Sequence, residues 1–182
     1  MNPHRLILPL LIYVPANWKL NQSASIYTPD MKALGRIEHG RRTLKEIFNH
    51  PVFTVDVATL YHAGYNEPVY SITLPPSLSF EINNSNGDFQ GIIQPKTFSI
   101  MPEFEFIDHC ETRIGTIKPG LQSVIIIEGD RRINGNYSKT RSKGLSPKQH
   151  VWEYNSESAT DVDSRLILGH VCLPLAPDMS AG

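Results

Sequence analysis

The chain lacks most of the features from which a function is usually assigned. Its 182 residues include two cysteines and 19% charged residues, fewer than the usual quarter. No apolar run approaches the ~18–20 residues that cross a bilayer, so we predict no membrane span. The G-x-x-x-x-G-K-[ST], G-x-G-x-x-G and G-x-S-x-G motifs do not occur. We therefore predict no cofactor and assign no catalytic residue.

What the chain does contain suits one folded domain. Hydrophobic residues make up 40% of it, enough at this length to bury a core without disulfides or metal. We predict a single domain over 1–182, with an irregular tail from residue 174. Leu6–Val14 is apolar apart from Pro9 and precedes a sequence similar to a signal-peptidase site, but its short, proline-broken run favours a retained strand. We expect a cytoplasmic or virion-associated protein, with secretion as the alternative.

One segment has the pattern of a helix, at about residues 29–49. Thr28 is a suitable cap, Pro29 suits a first turn, and apolar residues recur at helical spacing from Met31 to Phe48. Gly35 and Gly40 weaken the helix by roughly 1 kcal/mol each relative to alanine.

After residue 51 the pattern is that of short strands. Predicted strands include 52–60, 69–74, 78–82, 89–93, 97–107, 113–117, 121–128, 151–154 and 166–173. The predicted fold class is mainly β or α+β, an antiparallel β-sandwich-like sheet of short strands with one N-terminal helix.

Charge is sorted along the chain although the net charge is −1. Residues 1–45 carry 7 basic and 2 acidic groups, 46–130 carry 3 and 11, and 153–182 carry 1 and 5. The remaining residues, from Arg131 to Trp152, include six basic residues and no Asp or Glu. A locally positive segment of this kind attracts phosphate or an acidic partner.

The basic segment is the predicted binding site. It is rich in Gly, Asn and Ser, which predicts an exposed loop or hairpin at 130–150. Cations on such a loop follow a phosphate backbone, and an aromatic side chain stacks on unpaired bases. The predicted nucleic-acid-binding residues are Arg131, Arg132, Lys139, Arg141, Lys143, Lys148 and, for stacking, Tyr137. An acidic protein surface is the alternative partner.

The acidic residues allow a second interpretation. Pro102-Glu103 and the run Val124-Ile-Ile-Ile-Glu128-Gly-Asp130 resemble, over about 30 residues, the metal-binding strands of PD-(D/E)xK nucleases. The resemblance implies a divalent-metal nuclease using Glu103, Glu128 and Asp130. The chain departs from the family because Asp130 stands where the family has lysine, and Arg131 follows one position late. Alternating exposed acids on a half-buried strand explain the pattern without any site.

Both cysteines have histidine neighbours, in His109-Cys110 and His170-Val-Cys172. Thiolate and imidazole suit tetrahedral zinc, but adjacent residues of a strand point to opposite faces, so His109 and Cys110 share a metal only at a bulge. We predict buried free cysteines and no metal site. A Cys110–Cys172 disulfide in a secreted β-sandwich that binds sugar or protein is the alternative.

These patterns lead to one function and its alternatives. We predict a non-enzymatic, β-rich structural or binding subunit of a nucleoprotein or virion-like assembly, which contacts nucleic-acid phosphates through its basic loop. The alternatives are the nuclease, the secreted module, and self-association in which the basic loop of one copy docks on the acidic 103–111 region of another.

Overall fold

The chain folds mainly into β-strands, as its sequence predicts, with one helix in the described residues. The computed structural model describes residues 4–15, 22–39, 42–47, 50–64, 66–74, 79–96, 101–140 and 149–173. The predicted tail from residue 174 lies outside them. The strands are β1 (Arg5–Ile7), β2 (Leu10–Pro15), β3 (Ser23–Tyr27), β4 (Ala33–His39), β5 (Arg42–Ile47), β6 (His50–His62), β7 (Pro68–Leu74), β8 (Phe80–Asn84), β9 (Phe89–Pro95), β10 (Phe104–Asp108), β11 (Arg113–Pro119), β12 (Ser123–Glu128), β13 (Arg131–Thr140), β14 (Gln149–Asn155) and β15 (Asp161–Asp163); the helix is α1 (Ser164–Cys172).

Twelve of the described strands form a closed antiparallel barrel, so the predicted sandwich-like sheet is wrong. The order around the barrel is β4-β3-β2-β14-β13-β12-β11-β10-β9-β8-β7-β6, and β4 then pairs with β6. Closure follows from the 13-residue β6, whose last residues pair with β4 on one side and with β7 on the other. Closing the sheet pairs strand edges that a sandwich leaves open.

Two smaller pairings extend the barrel. β5 continues the path of β4 and pairs with β6 from His50 to Val55, beyond the barrel itself. At the other end, β1 and β15 form a two-stranded sheet in which Arg5 lies opposite Asp163. The apolar N-terminal segment thus supplies two strands, β1 and β2.

α1 lies inside the barrel. Eight of its nine residues are buried, from Ser164 to Cys172 with Arg165 as the exception. Five strands spread around the sheet face the helix. Tyr70 on β7, Phe106 on β10 and Tyr154 on β14 contact its side chains. Ile93 on β9 and Ile117 on β11 lie close to its glycine, Gly169. The apolar residues of α1 leave no polar face for solvent, and the barrel interior buries the helix on nearly all sides. Within the described residues, no helix has the length and apolar character needed to cross a bilayer.

The predicted helix at 29–49 is wrong, since β4 and β5 occupy most of that range. The register between β3 and β4 shifts at Ile26/Tyr27, leaving Leu34 as an extra residue. This bulge turns both Leu34 and Ile37 into the core although they are three residues apart, which imitates helical spacing. Gly35 suits the strand, because a Cβ there would lie 2.3 Å from the carbonyl oxygen of Tyr61.

The predicted strand at 166–173 is also wrong, because these residues belong to α1 and its C-cap. A short apolar run has no periodicity that separates a buried strand from a buried helix. Asp163 caps the helix by accepting a hydrogen bond from the Arg165 backbone N–H (2.9 Å), a feature that fits the N-terminus of a helix better than a strand.

Candidate functional site

The two ends of the barrel differ in their charged residues. We call the end at which α1 begins the entry end and the opposite end the exit end. The described turns of the entry end, those joining β3–β4, β6–β7, β8–β9, β10–β11 and β12–β13, contain five acidic residues and one basic residue, Lys32; the acidic ones are Asp30, Glu67, Asp88, Glu111 and Asp130. The positive residues Lys96, Lys118 and Lys139 lie on strands β9, β11 and β13 or just after them, towards the exit end.

The predicted basic site is divided between these two ends. Arg131 and Arg132 begin β13 at the entry end, and Lys139 lies eight residues further along the same strand. Eight residues of strand span about 27 Å, so one short stretch of phosphate backbone does not reach both groups. Lys139 pairs with His150 of β14, and Thr140 with Gln149. Arg141, Lys143 and Lys148 lie between these paired strands in sequence but outside the described residues.

Arg131 is occupied by an ion-pair network at the entry end. Its guanidinium lies 2.7 Å from a Glu128 carboxylate oxygen and 3.1 Å from Asp161. Arg5 of the β1 strand contacts the same two carboxylates. Hydrogen bonding from Arg5, and then the charges of Arg5 and Arg131, hold the pKa of Asp161 below its usual range. The network joins β1, β15 and the end of β12, which gives Arg131 a structural role. Arg132 is exposed and donates from Nε to Asn134 (3.2 Å).

Tyr137 faces the inside of the barrel rather than the solvent. It pairs with Trp152, two residues along from the pair of Gly135 with Tyr154. Gly135 and Tyr154 are buried, and residues two apart on a strand point to the same face. Its ring stacks on His150 at 5.3 Å and tilts against Trp152 at 5.3 Å, and its hydroxyl hydrogen-bonds the Nδ1 of His150. A ring held in this way has less surface for a nucleic-acid base than the sequence alone implies.

At the exit end, one carboxylate is shared by two lysines. Glu103 lies 3.0 Å from the Lys118 ammonium and 3.2 Å from that of Lys96. Hydrogen bonds from Lys118 first, and then from Lys96, lower the pKa of Glu103. This cluster therefore has one more positive than negative charge.

The carboxylates of the nuclease interpretation are not assembled. Glu103 contacts Lys118, whereas Glu128 pairs with Gly115 three residues earlier on β11, about 10 Å away. Glu128 is buried at 7% exposure and its side chain accepts a hydrogen bond from the Asp163 backbone N–H. Asp130 is exposed in the turn after β12. The three groups therefore do not form one metal-binding face.

The two cysteines occupy very different environments, and neither is in a disulfide. Cys172 is fully buried in α1, where burial raises the pKa of its thiol. Cys110 is exposed in the turn between β10 and β11, so the prediction of burial is wrong for this residue. The His170 and Cys172 pair belongs to the core. His170 Nδ1 shares a hydrogen bond with the Tyr154 hydroxyl (2.7 Å), and the ring packs edge-on against Trp152 (4.6 Å).

A cavity of about 730 Å³ at the entry end was not predicted from the sequence. The β3–β4, β6–β7 and β8–β9 turns surround it, and its lining includes His4, Lys32, His62, Glu67 and Asn84. Its size suits a small molecule. Positive, negative and neutral groups are mixed in the lining, so its charge favours no particular ligand. No local motif marks it, because its residues come from four separate segments.

Comparison of the chain with protein families, with curated proteins and with solved structures finds no match.

Proposed function

We propose that the protein is a non-enzymatic binding subunit that contacts nucleic-acid phosphates through the exit end of the barrel, as part of a nucleoprotein or virion-like assembly. The observation that carries the proposal is the acid-free segment from Arg131 to Trp152. Its strands β13 and β14 pair as far as Thr140 and Gln149, at the exit end. Arg141, Lys143 and Lys148 fall between these two residues in sequence.

The surroundings of the exit end support the choice of residues. Lys139 belongs to the last described rungs of the hairpin. The cluster of Glu103 with Lys96 and Lys118 adds a net positive charge on the same side of the sheet, but Lys118 is level with Asn134, five residues or about 17 Å before Lys139 on β13. Arg131 is already paired with carboxylates at the other end. The proposal therefore assigns phosphate contacts to Lys139, Arg141, Lys143 and Lys148. It assigns none to Arg131, Arg132 or Tyr137.

Binding of this kind is independent of sequence and decreases steeply with salt. Each phosphate contact releases condensed counterions, so four contacts predict a slope of log K against log salt of roughly −3 to −4.

Fluorescence anisotropy with labelled single- and double-stranded oligonucleotides tests the proposal. We expect binding at low salt that weakens as salt is raised. The variant Lys139→Ala/Arg141→Ala/Lys143→Ala is expected to bind more weakly, with a salt slope shallower by about 3. Absence of binding by the wild-type protein at low salt would refute the proposal. The hairpin would then be a docking element for an acidic protein or a solvated surface.

A further inference from the structure

The turn between β10 and β11 brings together three side chains that differ in chemistry and suit one metal ion. Asp108 ends β10, and His109 and Cys110 follow it in the turn. A carboxylate oxygen, an imidazole nitrogen and the Cys110 Sγ all lie within 4.8 Å of one another. Alternation along a strand would have separated His109 from Cys110, but both residues lie beyond the end of the strand.

The backbone of this turn is firmly defined. One carboxylate oxygen of Asp108, Oδ1, accepts hydrogen bonds from the backbone N–H groups of Cys110 and Thr112, both at 2.9 Å. The backbone N–H of His109 donates to the carbonyl of Gln90 on β9 (3.2 Å), and that of Glu111 donates to the carbonyl of Asp108 (3.0 Å). These bonds fix the backbone from which the three side chains extend, so the side chains lie close together before any ion binds. They do not use Oδ2 of Asp108.

The spacing is close to that of a zinc site. Bonds to zinc of about 2.0–2.3 Å place the ligand atoms of a tetrahedral ion about 3.5 Å apart. The three ligand atoms lie within 4.8 Å of one another, and rotation of the exposed His109 and Cys110 side chains would close the remaining gap. His109 and Cys110 are exposed, so an ion reaches them without opening the barrel.

We propose that Asp108, His109 and Cys110 form a Zn²⁺ site on the entry end of the barrel, a property separate from nucleic-acid binding. Thiolate and imidazole favour zinc over magnesium or calcium, and the carboxylate supplies a third ligand. The fourth tetrahedral position is left for water.

Titration of the tag-free, reduced protein with Co²⁺, followed by competition with Zn²⁺, tests the site. We expect one equivalent of Co²⁺ to produce a thiolate-to-cobalt charge-transfer band and the visible bands of tetrahedral cobalt. Zn²⁺ is expected to abolish both. Cys110→Ser removes the charge-transfer band. Asp108→Asn keeps an oxygen that accepts the two turn hydrogen bonds but removes the charge, and we expect it to weaken binding by about 10-fold or more.

The matched control is Glu111→Gln, which removes a neighbouring exposed carboxylate that is not among the three ligands. It is expected to bind Co²⁺ like the wild type. A thiol reagent gives a second readout, since Zn²⁺ should protect the exposed Cys110 in the wild type and not in His109→Gln. Equal metal affinity in the wild type and in His109→Gln or Asp108→Asn would overturn the proposal, as would the absence of a cobalt–thiolate band.

Discussion

Gly91→Ala is expected to lower the free energy of unfolding by about 3 kcal/mol or more. Gly91 has a φ of 145°, a conformation that residues with a Cβ rarely adopt. A Cβ at this position would also lie 2.3 Å from the carbonyl oxygen of Ile107 and 2.7 Å from the ring of Phe106. Backbone strain and overpacking each cost about 1–3 kcal/mol, and here both act on the pairing of β9 with β10. Urea denaturation followed by circular dichroism measures the change.

Gly87→Ala is the control that separates strain from overpacking. Gly87 also has a positive φ, 84°, but a Cβ there would meet no atom within 4 Å. We expect this variant to lose only about 1–2 kcal/mol, the strain contribution. Equal losses in Gly91→Ala and Gly87→Ala would contradict the close approach of β9 to β10.

Acid is expected to destabilise the protein through His170. Burial inside the barrel lowers the pKa of this imidazole to about 3, against an ordinary value near 6.5. Below about pH 6.5 the unfolded chain binds a proton that the folded chain does not. Stability is therefore fully present at neutral pH and decreases by about 1.4 kcal/mol per pH unit as pH falls towards the folded pKa. Denaturant unfolding measured from pH 7 to pH 4.5 gives this dependence.

His170→Gln isolates the contribution of this residue, because every other titratable group is present in both proteins. The glutamine side chain carries both a donor and an acceptor, so it retains a hydrogen-bond partner for the Tyr154 hydroxyl in either direction. The variant is less stable at neutral pH, and we expect the difference between the two proteins to shrink by about 2–3 kcal/mol between pH 7 and pH 4.5. A difference that does not change with pH would show that His170 is not buried in its neutral form.

The strands were the part of the fold most accessible from the sequence. Runs rich in β-branched residues predicted 69–74 and 89–93, which coincide closely with β7 and β9. Closure of the barrel was not predictable, because it depends on β4 pairing with β6 through a long strand whose partners no local pattern identifies. The sequence misplaces the helix for two physical reasons: the bulge at Leu34 imitates helical spacing, and the short, almost entirely buried α1 has no polar face that would mark a helical period.

The candidate sites were predictable only in part. Charge sorting was visible in the sequence, but its division between two ends depends on the length of β13, which separates Arg131 from Lys139. Arg131 forms ion pairs with Glu128, three positions before it, and with Asp161, thirty positions after it. A count of charges along the sequence does not reveal which charged residues pair. The grouping of His109 with Cys110 was rejected on strand alternation, which does not apply in a turn.

The most direct test of the proposed function compares two variants that lose equal charge, one from the acid-free segment and one from the entry end of the barrel. One is the acid-free-segment variant, with Lys139, Arg141 and Lys143 changed to alanine. The other is Lys32→Ala/Arg113→Ala/Arg132→Ala, which removes three exposed cations from the entry end. The measurement is the slope of log K against log salt for the same oligonucleotide. We predict a slope shallower by about 3 for the acid-free-segment variant and an unchanged slope for the entry-end variant. Equal changes in both variants would contradict binding at the exit end.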